Sequence, residues 1–310
     1  MPPSPPADAS GLPLHRAWPE RLASGALIGV PALVLLALGA APLLQILGIS
    51  VAESDGIRFF DLLKFSDGVL ALRINLANYL SLLTDAFYVE TYLSSLRYAL
   101  ITMLLCLLIG YPFAYFIARA EARWRPALML LVSLPFWTSY LLRVYACKAL
   151  LDDHGSINLL LLDLHLIDQP LRMLHTSGAV VLGLVYTYLP FMVLPLYGTL
   201  VRLDWRLVDA ALDLGATPLS AFFLVTVPLS RAGIAAGTLL VFIPSVGEYV
   251  IPELLGGPGT LMIGRVLWDE FFSNNDWGLA CAVGVTMLTL LLLPIVLLDG
   301  LRRPAGGERA

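Results

Sequence analysis

Charge is scarce in this chain. Of its 310 residues only 14% are Asp, Glu, Lys or Arg, while 58% are hydrophobic. Soluble domains carry about 25% charged residues, so this composition excludes an ordinary soluble domain; a mean hydropathy of +0.82 agrees. The net charge of −4 excludes a strongly basic nucleic-acid binder. Cysteine is also sparse. Cys106, Cys147 and Cys281 all fall within apolar runs, and an odd number so placed excludes a disulfide framework or a cysteine zinc site. They are read as packing residues. His15, His154, His165 and His175 lack metal-ligand spacing, so neither metal nor cofactor is expected.

Catalytic signatures are missing as well. There is no GxxxxGK[ST] loop; Gly256-Gly257-Pro258-Gly259 lacks the following Lys and helix. There is no HExxH, no GxSxG and no evident nucleophile–base pair inside an apolar run. The chain is therefore not expected to be an enzyme. Energy for any pumping has to come from another subunit or from an ion gradient.

What the sequence has in abundance is long apolar runs. A bilayer core needs about 20 apolar residues in a helix. Six segments qualify: Gly25–Ile49, Tyr98–Ala118, Ala127–Leu150, Ala179–Val201, Ala232–Pro252 and Leu279–Leu298. The first is too long for a signal peptide and is expected to stay as an anchor. All six contain proline, which spanning helices tolerate where neighbours or water satisfy the freed carbonyls. The expected fold is an all-α membrane bundle of six spans. Residues 1–24, rich in proline, read as a disordered cytosolic N-terminus, 25–50 as the first span and 51–91 as a periplasmic loop. Residues 92–298 read as a five-helix core and 299–310 as a cytosolic tail.

Basic residues orient these spans. With both termini inside, 11 of the 19 Lys and Arg fall on the cytosolic side, among them Arg119, Arg123, Arg125, Arg202, Arg206 and Arg231. The outer segments are acidic, with Asp152, Asp153, Asp163, Asp168, Glu253, Asp269 and Glu270 among others. An acidic outer face focuses cations; the same pattern also follows simply from the exclusion of Lys and Arg. The run Tyr79–Leu83 suggests interfacial structure in the first outer loop.

The segment 202–231, RLDWRLVDAALDLGATPLSAFFLVTVPLSR, then lies in the cytosol. Asp204 is a good helix N-cap, Gly215 a good terminator, and Thr217-Pro218 an N-cap followed by proline at the first helical position. That predicts two short helices joined by a tight turn. Their apolar positions are Leu207, Ala210, Ala211 and Leu214, then Leu219, Phe222 and Phe223. Such a face in water suits a partner.

Within the spans, charged side chains are costly and often functional. Arg97 stands one residue before the second span, where snorkelling accounts for it. Arg143 lies deeper, in the run Pro135-Phe136-Trp137-Thr138-Ser139-Tyr140-Leu141-Leu142-Arg143-Val144-Tyr145. Glu248 follows Pro244 and Gly247 and precedes Tyr249. Two readings stand for Glu248: a site on a cation pathway, or an ion pair with Arg143 that locks the bundle. Trp137, Tyr140, Tyr145, Tyr186, Tyr188 and Tyr249 offer faces to ammonium groups, and an interfacial aromatic belt also explains several of them.

The 202–231 segment resembles the EAA loop of ABC importer permeases, a Glu-Ala-Ala, three residues, Gly, nine residues, Ile-x-Leu-Pro pattern. Here it reads Asp209-Ala210-Ala211, Gly215 and Val225-Thr226-Val227-Pro228. Further runs are similar to polyamine importer permeases: Pro135–Ser139, Leu142–Tyr145, Tyr188–Pro195 and Phe242–Gly257. The last, with Met262–Trp268, is similar to the putrescine type in particular. The resemblance implies a type I importer permease bundle in the bacterial inner membrane with no ATPase of its own. It implies as partners two ATP-binding subunits, a sister permease and a periplasmic polyamine-binding protein. Asp209, Ala210, Ala211, Gly215, Phe222, Phe223 and Pro228 would then serve ATPase coupling. Glu248, Tyr249, Trp137, Tyr145 and Arg143 would line a substrate pathway. A secondary transporter, which more often shows inverted repeats, and a permease for another small solute are the alternatives; no internal repeat is evident.

Overall fold

The structure, a computed structural model, describes residues 18–52 and 75–302, with short strand pieces at 54–55, 58–59, 63–66 and 69–72; side chains are described for 29, 31–52 and 75–292. The expected disorder of the N-terminus up to residue 17, and the tail from 303 onward, lie outside the described residues. So do the acidic side chains Glu53, Asp55, Asp61 and Asp67 of the first outer loop.

Helix α1, Trp18–Val51, contains Pro31 and Pro42 and begins before the expected Gly25. Residues up to Gly48 form a unit of their own. In the second unit two small antiparallel hairpins come first. Strand β1 (Ser54–Asp55) pairs with β2 (Arg58–Phe59), and β3 (Leu63–Ser66) with β4 (Val69–Leu72). Helix α2, Ala77–Thr84, follows and buries only Leu82. It supplies the local structure that Tyr79–Leu83 suggested.

Helix α3 runs from Ala86 to Arg119, with the Asp85 carboxylate accepting the Phe87 N–H as its N-cap. It starts a full three turns before the expected Tyr98. The early turns are stabilised from the side: the Tyr92 hydroxyl donates to the Val283 carbonyl at 2.7 Å, and the Ile263 N–H donates to Ser95 Oγ at 2.7 Å. Such partners are not visible in a local hydropathy pattern.

The third expected span, Ala127–Leu150, is not one rod. Helix α4 (Arg125–Ser133) and a 3₁₀ turn (Leu134–Trp137) meet, across Thr138-Ser139 and at 90°, the arm Tyr140–Asp163 that begins with α5 (Tyr140–Leu151). Pro135 supplies no N–H and favours the tighter turn. Helix α6 (Ser156–Asp163) lies beyond. Helix α7, Ser177–Leu200, is N-capped by Thr176 and carries Pro190 and Pro195 internally. Helices α8 (Arg206–Asp213), α9 (Pro218–Ala221) and α10 (Val227–Leu229) form the 202–231 segment, and α11 is Arg231–Val246. The fifth expected span, Ala232–Pro252, also breaks: α11 stops at Val246 and α12, Val250–Leu255, begins anew. Helix α13 (Ile263–Trp268) and α14 (Trp277–Arg302) are the last helices of the described residues.

Helices α3, α7 and α11 pack on one another and hold the main core. Met192, Leu196 and Leu200 of α7, Val241 of α11 and Cys106 and Ala114 of α3 are fully buried there. Among the described residues three helices are long and apolar enough to cross a membrane, and five if the bent pairs Arg125–Trp137 with Tyr140–Asp163 and Pro218–Leu229 with Arg231–Val246 each count as one span. The α14 segment Trp277–Leu292 is a shorter apolar helix. The architecture is a membrane helical bundle in which two of the expected spans are discontinuous.

Candidate functional site

The first candidate surface is the 202–231 segment. Asp204 does not hold the N-cap position expected of it: Trp205 does, without a side-chain cap, and the Asp204 carboxylate accepts the Arg206 N–H at 3.1 Å in the turn just ahead of the helix. At the other end Gly215 has φ +90°. Its N–H donates to the Leu212 carbonyl at 2.9 Å, and the Ala216 N–H donates to the Ala211 carbonyl at 3.0 Å. This paired closure is the Schellman arrangement, which needs a residue in the left-handed region. Thr217 then caps α9 through the Ser220 N–H at 3.2 Å, with Pro218 in the first turn.

Helical geometry corrects the expected apolar face. Successive residues on a helix point about 100° apart, so Phe222 and Phe223 diverge. Phe222 turns inward, edge-on to Tyr111 and Tyr115 at 5.2 and 5.8 Å. Phe223 points out and is 58% exposed. Leu207, Leu214 and Leu219 join it on the exposed side, while Val208 is the residue that α8 buries. Asp209, Ala210 and Pro228 are exposed and Ala211 is half-buried. Pro228 lacks an N–H, and its ring leaves no room for the Leu224 carbonyl in an α-turn. The chain widens to a π-turn over Phe222–Thr226, in which the Val227 N–H reaches the Phe222 carbonyl. Trp205 anchors the segment: its ring lies edge-on to Tyr115 at 5.5 Å and under the Arg119 guanidinium at 5.0 Å. Sequence reasoning passed over Trp205 because its partners come from α3.

The second candidate site lies where the two broken spans meet. Glu248 occupies the gap between α11 and α12 and is buried. Its Oε1 accepts the N–H groups of Tyr249 and Val250, both at 3.1 Å, and so caps α12. The same oxygen accepts the Tyr140 hydroxyl at 2.6 Å, and Oε2 accepts the Tyr188 hydroxyl at 2.6 Å. Tyr140 is the first residue after the break before α5, and Tyr188 comes from α7. Oε1 thus takes three donors and Oε2 one; with about two acceptor positions on each carboxylate oxygen, Oε1 is saturated and Oε2 has room for a further donor. Gly264 of α13 closes over the gap, and a Cβ there would collide with the Gly247 carbonyl.

The alternative of a Glu248–Arg143 ion pair is overturned. Among the described residues no salt bridge joins the two, and the buried Nε and Nη1 of Arg143 have no hydrogen-bond partner. The guanidinium lies 5.9 Å from the centre of the Tyr140 ring instead. Tyrosine hydroxyls hold the position that this alternative gave to a cation. Tyr249 is half-buried and stacks on Trp268 at 4.7 Å, nearly parallel. Trp137 and Tyr145 are 83% and 53% exposed and make no hydrogen bond with Glu248. The roles of Tyr140 and Tyr188 as donors were missed. From sequence they were aromatic faces, and only the packing of α5 and α7 turns their hydroxyls to one point. His175 Nδ1 bonds the Gly256 carbonyl oxygen at 2.9 Å, and His165 Nδ1 that of Asp163 at 3.0 Å. No group of three or more His, Cys, Asp or Glu among the described residues could hold a metal.

These geometries can be set beside known proteins. The family described as "Binding-protein-dependent transport system inner membrane component" matches residues 107–303. The chain is 41% identical over 254 residues to the spermidine/putrescine transport system permease protein PotB of Haemophilus influenzae, covering 81% of this chain and 85% of that protein. It is 40% identical over 255 residues to the PotB protein of Escherichia coli, with 82% and 89% covered. The inner membrane ABC transporter permease protein YdcU of E. coli is 31% identical over 234 residues, 71% and 74% of the two chains. A chain of a bacterial ABC transporter involved in the import of the acidic polysaccharide alginate superposes with a TM-score of 0.66 over 93% of this chain and 97% of that one. At 15% identity this likeness is one of fold.

Proposed function

The chain belongs to the family of binding-protein-dependent transport system inner membrane components, and on that footing we propose that it is the membrane-spanning permease subunit of an ATP-driven polyamine importer. The relatives at about 40% identity carry the spermidine/putrescine name over most of this chain. The observation that carries the ATP-driven part is the 206–229 helix–turn–helix. It presents Leu207, Leu214, Leu219 and Phe223 outward beside Asp209, while Trp205 and Phe222 fix it to the bundle. A rigid apolar knob of this kind suits a groove on an ATP-binding subunit. Hydrolysis belongs to that partner.

The partners in this reading are two ATP-binding subunits, a sister permease completing the pathway, and a periplasmic polyamine-binding protein. Both termini and the 202–231 segment face the cytosol, consistent with the basic residues flanking them. Glu248 is the pathway residue. A di- or triammonium ion entering a low-dielectric route needs negative charge, since burying an unpaired charge costs several kcal/mol. The Tyr140 and Tyr188 hydroxyls hold the carboxylate in readiness, and an ammonium group takes their place as it passes. Tyr249, Trp137 and Tyr145 offer aromatic faces along the way.

Proteoliposomes holding this chain with its sister permease and ATP-binding subunit test the proposal. Labelled spermidine or putrescine should accumulate only with ATP and the binding protein. ATP-independent, ion-gradient-driven accumulation would favour a secondary transporter. ATP-driven uptake of a different solute with no polyamine uptake would overturn the substrate class alone.

A further inference from the structure

One cavity lies away from Glu248, between α3, α5 and α7. It encloses about 900 Å³, at the upper end of the ~300–1,000 Å³ typical of small-molecule clefts. Its walls are apolar, with Ile101 and Leu105 from α3, Leu150 from α5 and Leu182 and Val185 from α7. One end is polar. Arg97 stands there beside Ser177, whose Oγ accepts the Tyr98 hydroxyl at 2.9 Å. The Arg97 guanidinium is exposed and has no hydrogen bond or ion pair among the described residues.

Depth identifies what fits. On α3, Arg97 and Arg119 are separated by about 33 Å at ~1.5 Å per residue, close to the ~30 Å hydrocarbon thickness of a bilayer. Arg97 therefore stands at one headgroup level and Arg119 at the other. From Arg97 the lining descends to Leu105, about 12 Å along α3. On α7 it descends from Ser177 to Tyr186, about 13 Å. Both distances match one leaflet, about 15 Å. The cavity has the form of a single lipid: a cation at phosphate depth above an apolar trough one acyl layer deep.

We propose that this groove is a binding site for an anionic phospholipid, its phosphate on Arg97 and an acyl chain along Ile101, Leu105, Leu182 and Val185. Arg97 is well suited to the headgroup because guanidinium donors match phosphate oxygens in a bidentate fork. The leaflet is the one opposite the 202–231 segment, since α3 and α7 both run from the polar end of the groove toward that segment. The site depends on the chain spanning a bilayer and not on the solute it moves.

The assembled transporter, in nanodiscs of phosphatidylcholine with phosphatidylglycerol as the probe, gives the test by native mass spectrometry. Wild type should retain phosphatidylglycerol over phosphatidylcholine through mild delipidation. Arg97→Gln should reduce that retention about fivefold, the factor that one basic residue near a membrane surface supplies, and Arg97→Lys should keep most of it. Leu182→Trp, which fills the trough without touching the charge, should reduce it as well. Equal retention of both lipids by wild type, or undiminished retention in Arg97→Gln, overturns the site. So does efficient cross-linking of Leu182→Cys to the sister permease in the intact transporter, because protein would then occupy the groove. If either variant fails to assemble, lipid selectivity of wild type and of Arg97→Lys still decides.

Discussion

Tyr140 donates its hydroxyl to Glu248 at 2.6 Å, and through this bond the break before α5 is tied to the break before α12. Two discontinuous spans, 108 residues apart in sequence at this contact, thus meet at a buried carboxylate. Unwound backbone inside a bundle is tolerated where protein or a cavity covers it. Here the carboxylate itself satisfies the freed N–H groups of Tyr249 and Val250.

Removing either hydroxyl should be felt. Tyr140→Phe or Tyr188→Phe deletes one charge-assisted hydrogen bond to a buried acceptor, which costs about 1.5–3 kcal/mol. Thermal unfolding of the purified permease complex should shift down for each. Polyamine uptake should fall by more than the loss of folded complex accounts for. An unchanged melting temperature in both variants would contradict the geometry.

Arg143 offers a sharper distinction. Were it the partner of Glu248, Arg143→Met would break a buried pair at a cost of about 3–5 kcal/mol. With Nε and Nη1 unpartnered and the Tyr140 ring 5.9 Å from the guanidinium, the expected change is much smaller, within about 1 kcal/mol. Denaturation of the variant in detergent measures it. Destabilisation of the larger size would restore the ion pair.

Glu248→Gln should assemble and lose polyamine uptake, with substrate-stimulated ATP hydrolysis falling in parallel. Because Arg143 is not its partner, the double change with Arg143→Gln should not restore transport. Restored uptake in the double variant would assign Glu248 a structural role only.

In the 202–231 segment the two neighbouring phenylalanines should separate. Phe222→Ala removes packing against Tyr111 and Tyr115 and should lower stability by a few kcal/mol, toward the ~3–5 of a fully buried ring. Phe223→Ala should leave stability unchanged and weaken co-purification with the ATP-binding subunit. Gly215→Val forces a β-branched residue to positive φ, a strain of about 1 kcal/mol or more, and should uncouple ATP hydrolysis from substrate. Normal coupling in both Phe223→Ala and Gly215→Val would remove this segment from the ATPase interface.

Cysteine labelling tests the orientation. Ser10→Cys, Thr217→Cys and Ala310→Cys should be protected from an impermeant thiol reagent in intact spheroplasts. Ser273→Cys should react. Labelling of Thr217→Cys from outside would invert the proposed topology.

The sequence by itself determined the membrane class, the helical bundle and the punctuation of the 202–231 segment. These are local properties. Twenty apolar residues, a glycine after a short helix and Thr-Pro before another act on their immediate surroundings, so hydropathy and capping chemistry reveal them. The resemblance in Asp209-Ala210-Ala211 and Gly215 is local in the same way. What the tertiary structure decided is which side chains share a space. The extension of α3 back to Ala86 rests on Val283 and Ile263, far along the chain. The division of Phe222 from Phe223 depends on where Tyr111 and Tyr115 stand. Above all, the partner of Glu248 was open between a cation pathway and Arg143, and packing gave the carboxylate to two tyrosine hydroxyls and two backbone N–H groups. Charge in a sequence names what could attract; only the crossing of α5, α7 and the α11–α12 break fixes which donors come within 2.6 Å.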